Sequence, residues 1–173
     1  MLKKILAFLG ISLCFVLQST VFHKISFAGI VPNLMIVLTS VFGFMKGERA
    51  GILSGFFCGF LIDLFFGEFL GFYALMYMYI GFLNGKFARA YYPEDVKLPV
   101  ALILTSDLSY GILCYILLFM LRGKFEFVYY LGHIILPEAI YTFLAAVVLY
   151  PVILVIDLKL DPERRRSKRR VVR

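Results

Sequence analysis

Polar cover is what this sequence has least of. Charged residues make up only 17% of the 173 positions, against 62% hydrophobic, and the mean hydropathy is +0.91. A soluble domain of this length cannot hide so much apolar surface beneath so few polar side chains. Intrinsic disorder is excluded by the same composition. Cysteine is sparse as well. Cys14, Cys58 and Cys114 are odd in number, lie within apolar runs and form no Cys-x-x-Cys or Cys–His spacing, so they read as inert core residues rather than as a metal site. The two histidines, His23 and His133, have no His-Glu-x-x-His spacing, and no Gly-x-Ser-x-Gly occurs. Gly81 to Lys86 approximates a phosphate loop one residue short, with Phe87 where Ser or Thr is needed, and is read as the packing end of a helix. These absences argue against an enzyme and leave no catalytic residue, cofactor or metal to propose.

What is present is a series of apolar runs, at about 5–22, 31–45, 50–66, 71–85, 100–121 and 134–156. Each is read as a transmembrane helix, the second and third being short. The expected fold is an all-α integral membrane protein: a compact bundle of six transmembrane helices over 1–158, then a basic tail over 159–173. The first run follows Lys3 and Lys4 but lacks a small-x-small cleavage site, so it is read as a retained helix.

Net charge is +7, and eight of the 18 basic residues fall in the tail. This distribution belongs to membrane topology rather than to nucleic-acid binding. With the N-terminus inside, fifteen Lys and Arg lie on the inner side and only Lys24, Arg122 and Lys124 outside. The positive-inside rule therefore places both termini in the cytoplasm. Arg164, Arg165, Arg166, Lys168, Arg169 and Arg170 suit either an anionic lipid surface or a plain topology anchor.

Within the runs, the groups that cost most in lipid are the candidates for function. Gly51, Gly55 and Gly59 recur every four residues and Asp63 continues the series, which makes one helix stripe. That stripe suits internal packing or a partner's helix. Asp63 and Glu138 are expected at similar outer depth and Asp107 at inner depth. Tyr141, Thr142 and Ala145 are expected on the face of Glu138, and Ser106, Tyr110, Gly111 and Cys114 on that of Asp107, with Gln18 and Asn33 as neutral hydrogen-bonding partners for the acids. Pro137 fits the first turn of a helix, where Glu138 would complement the positive dipole end.

Together, Pro32-Asn33-Leu34, the stretch GFFCGFLIDLFFGEFLGFYAL from Gly55 to Leu75, Leu136-Pro137-Glu138-Ala139-Ile140-Tyr141 and Leu149-Tyr150-Pro151 resemble the rod shape-determining MreD family of bacterial membrane proteins. The resemblance spans nearly the whole chain. It implies a non-enzymatic, multi-pass subunit of the cytoplasmic membrane, acting in the cell-elongation machinery that builds sidewall peptidoglycan. MreC and other membrane proteins of the elongation complex are the implied partners. The family fold is similar to the substrate-binding subunits of energy-coupling-factor vitamin transporters, so a small-molecule-binding subunit is the alternative. The Ala-x-x-x-Ala contact motif of those subunits is absent here, because Ala7 is followed four positions later by Ile11. A transporter of lipids or wall precursors is a third reading, resting on polar residues at two depths.

Overall fold

The computed structural model describes residues 2–24, 26, 29–67, 69–89, 96–120, 123 and 126–160, with no strand among them. The tail residues Arg164, Arg165, Arg166, Lys168, Arg169 and Arg170 lie outside the described residues, as do Glu68, Arg122 and Lys124.

Six helical rods are built from the described residues. α1 runs over Leu2–Val16 and widens into a π-helical segment, Leu17–Phe22. α2 is Leu34–Lys46, α3 is Glu48–Phe66 and α4 is Phe72–Lys86. α5 is Lys97–Cys114 with a π segment over Tyr115–Phe119. α6 starts at Phe127–Tyr130, widens to π over Leu131–Ile135 and continues as Leu136–Leu160. By length and composition, four stretches can cross a membrane: Ile5–Phe22, Glu48–Phe66, Lys97–Leu118 and Phe127–Lys159. α2 and α4 are shorter than a helix of about 20 residues needs to be.

The short α2 is the centre of the bundle. Eleven of its thirteen residues are buried, and it touches α1, α3, α4, α5 and α6. A helix that is apolar on every side belongs where every side meets protein. One side of it packs Leu34, Met35, Ile36 and Leu38 with Ile11 and Phe15 of α1, Cys58 of α3, and Tyr77 and Ile80 of α4. The other side packs Val37, Val41 and Phe44 with Ile103 of α5 and with Ala146 and Tyr150 of α6. The outer helices turn apolar faces outward: Leu9 and Leu13 on α1, Leu53 and Phe65 on α3, Val148 and Val152 on α6 are all exposed. Such surface is a liability in water and neutral in lipid. This is a membrane protein by composition and by shape.

α2 and α3 are joined through Gly47 alone, at φ 92°, a conformation that L side chains rarely adopt. α3 and α4 then form the tightest pair in the molecule, because Gly51, Gly55 and Gly59 face α4 with no side chain between the backbones. A Cβ at Gly51 would lie 2.1 Å from Gly81 O, one at Gly55 2.3 Å from Tyr77 O, and one at Gly59 2.4 Å from Ala74 Cα. Gly81 and Gly85 answer from α4, against Gly51 and Glu48. The stripe is filled by α4 and offers no open face to a helix from another protein.

The last helix departs from its sequence expectation. It begins at Phe127, not near Ile134, and Pro137 stands inside it rather than in its first turn. A proline cannot bond the carbonyl four residues back, and its ring crowds that carbonyl. The wider π turn over Leu131–Ile135 directly precedes it, and the helix passes through unbroken. Rings of Tyr115 and Phe119 on α5 pack against Phe127 and Tyr130 and hold this extra length in place. Glu138 therefore does not sit at a helix N-terminus, and the dipole reading of Pro137-Glu138 is corrected.

A polar cavity at the start of the central helix

Two helix starts are buried in this bundle, and in lipid each needs its free N–H groups satisfied from within. α2 is served by its own N-cap, Asn33, whose Oδ1 accepts from Ile36 N at 3.2 Å. Gln18, reaching from the π segment of α1, accepts from Met35 N at 3.3 Å. α4 is served from α3. Asp63 takes Tyr73 N on Oδ1 and Ala74 N on Oδ2, both at 2.9 Å. The carboxylate thus complements the positive end of α4, which is the role the sequence reading gave to Glu138.

Asn33 is the hub of the larger cluster. Its Oδ1 also accepts from Tyr77 Oη at 2.9 Å, and its backbone N donates to Thr142 Oγ1 at 3.0 Å. Its Nδ2 donates to Glu138 Oε1 over 3.5 Å, a long bond at the limit of useful geometry. Asp107, from α5, lies beside Thr142. Asp107 is 3% exposed, and its Oδ1 has no partner among the described residues.

Gln18, Asn33, Asp107 and Glu138 are therefore brought together around one helix start. Thr142, one turn beyond Glu138, lies beside Asp107. Asp63 is not part of this cluster and is spent at the α3–α4 turn. Tyr141 does not join it either. Steps of three and four along a helix diverge by about 100°. Thr142 turns to α2 and α5, while Tyr141 lines an apolar groove of about 440 Å³ with Cys14, Leu17 and Leu144.

Beside the hub lies a cavity of about 340 Å³, walled by Phe15, Gln18, Asn33, Tyr77, Tyr110 and Glu138, with Ser19 and the exposed His23 at its rim. Tyr77 and Tyr110 meet edge to face there, ring centres 5.2 Å apart. Sequence reasoning placed Tyr110 with Asp107 and Thr142 with Glu138, but missed Tyr77 as a site residue. Tyrosine is common in this chain, with 11 present, and nothing in the run Met76-Tyr77-Met78-Tyr79 marks which hydroxyl turns inward. At the opposite end of the bundle Lys46 Nζ pairs with Asp157 at 3.1 Å and lies over the Phe42 ring. That ion pair joins the end of α2 to the end of α6.

No group of three or more His, Cys, Asp or Glu is placed to hold a metal among the described residues. A family model described as rod shape-determining protein MreD matches residues 2–156 of the chain. No curated protein and no solved structure matches it.

Proposed function

The chain belongs to the rod shape-determining MreD family, and from that premise we propose that it is a non-enzymatic membrane subunit of the bacterial cell-elongation complex. In this reading it binds MreC and helps to organise sidewall peptidoglycan synthesis from the cytoplasmic membrane. The family match over residues 2–156 carries the proposal. The build of the molecule supports it: the described chain is nearly all helix, with short connections and no soluble domain among the described residues. A protein of this shape acts through helix surfaces, and a partner supplies whatever works outside the membrane. Affinity purification in mild detergent, followed by mass spectrometry, tests this. MreC is expected in the eluate. A stoichiometric vitamin in its place would favour a substrate-binding subunit of a small-molecule transporter, a reading whose one structural support is the 340 Å³ cavity.

The proposed topology is six spans with both ends in the cytoplasm. α2 and α4 are short, but α2 is sheathed by protein and α4 is locked to α3, so neither depends on its own length to stay in the bilayer. Reporter fusions after Lys46, around Pro93 and at Arg173 are expected to read cytoplasmic. Fusions near Ser26, Glu68 or Lys124 are expected to read outside, and a cytoplasmic signal at Lys124 removes the six-span arrangement. The basic residues from Arg164 to Arg170 are proposed to rest on anionic lipid at the inner face.

A further inference from the structure

A carboxylate kept within a membrane bundle needs a partner, because desolvating an ion costs several kcal/mol unless charge or hydrogen bonds offset it. Asp63 has two backbone N–H groups at 2.9 Å. Glu138 has only the 3.5 Å contact from Asn33 Nδ2 among the described residues. No Lys or Arg lines the cavity that Glu138 faces, again among the described residues. Part of the remaining wall is aromatic, Phe15, Phe66 and Tyr110, beside the aliphatic Val31 and Ile62 and the polar Gln18 and Asn33. The electron-rich faces of such rings attract cations, most strongly where water is excluded. A bare metal ion fits this lining poorly, since hard cations take six or more oxygen ligands and the cavity's about 340 Å³ is far larger than one ion.

We infer that this cavity is a binding site for an organic ammonium group, held by Glu138 and flanked by the Phe15, Phe66 and Tyr110 rings. Two sources carry that chemistry: a free amine entering past His23, and the headgroup of an aminophospholipid. The inference goes beyond the cell-elongation reading and stands or falls without it.

The test uses the full chain in nanodiscs of phosphatidylglycerol, read by thermal unfolding midpoint and by titration of the added probe. Choline and ethanolamine are expected to raise the midpoint, while dimethylbutanol, the uncharged isostere of choline, leaves it unchanged. Including phosphatidylethanolamine in the disc is the second arm. If the headgroup is the natural source, that lipid raises the midpoint and abolishes the further effect of choline. If free amines are the source, choline acts equally in both discs. Glu138→Gln keeps an acceptor for Asn33 and is expected to weaken amine binding by about thirtyfold or more. Equal response to choline and dimethylbutanol in the wild-type protein overturns the inference without reference to any variant. So does undiminished choline binding by a folded Glu138→Gln protein. Failure of these measurements leaves MreC co-purification untouched, and the reverse also holds.

Discussion

Gly55→Leu is expected to separate α3 from α4 and to remove most of the folded protein from the membrane. The geometry is more severe than the sequence pattern implies. The first side-chain carbon alone would stand 2.3 Å from Tyr77 O, 2.6 Å from Tyr77 C and 2.8 Å from Met78 N. All three are backbone atoms of a helix, so no rotamer change relieves the overlap. The two helices must part by an ångström or more along a seam that also contains Gly51–Gly81 and Gly59–Ala74. Overpacking of a close-packed core costs roughly 1–3 kcal/mol, occasionally more. A rigid backbone on both sides puts this case at the upper end, so about 3 kcal/mol is expected for leucine. Alanine at the same position should already show a clear loss. Gly10→Leu on α1 is the matched control, since nothing lies within 4 Å of its added carbon. Thermal unfolding in mild detergent, with membrane abundance measured alongside, reads the difference. A Gly55→Leu protein as stable as Gly10→Leu would show that the seam is not as close as described.

Asp63→Ala is the second large effect, and its physical origin differs. Nothing is overpacked; two buried N–H groups lose their acceptor. Tyr73 N and Ala74 N lie at the start of α4, where no intrahelical partner exists. Charge-assisted bonds of this kind are worth about 1.5–3 kcal/mol each, and a buried orphan donor costs about 1–3 kcal/mol. Because the two bonds share one carboxylate, their losses overlap, and about 3 kcal/mol in total is expected. Asp63→Asn should recover part of it. Its carbonyl oxygen can take one N–H, whereas its amide nitrogen meets the other donor to donor. The order wild type, Asn, Ala in unfolding midpoint is therefore the signature of the cap. If Asn and Ala are equally destabilised, the paired geometry is wrong. If neither matters, Asp63 is not the acceptor for α4.

Much of this molecule was legible in its residues taken in order. Apolar runs bounded by charge predict membrane helices, since lipid admits only backbone that satisfies itself. The four-residue glycine spacing predicts a close helix seam. Those inferences rest on local periodicity and on the cost of exposed polar groups, which a single sequence carries. The order and spacing of four short motifs, from Pro32-Asn33-Leu34 to Leu149-Tyr150-Pro151, pointed together to the MreD family, to which the chain belongs.

Other features depend on what lies across space. Only the packed bundle makes α4 the occupant of the glycine stripe, and only it assigns Asp63 to the start of that helix. The π turn before Pro137 could not be read from composition. It precedes the proline's missing N–H and follows the turn whose Phe127 and Tyr130 rings pack on Tyr115 and Phe119 of α5. Only the packed bundle shows Asn33 beside Glu138 and Asp107 beside Thr142. Tyr141 and Thr142 are neighbours in the chain, yet they face different partners because about 100° of rotation separates them. Sequence alone determined which groups are too polar for lipid and must be sheltered. The tertiary structure decided what shelters each one, because a hydrogen bond or a backbone contact is set by distances of a few ångströms between helices that the chain order does not encode.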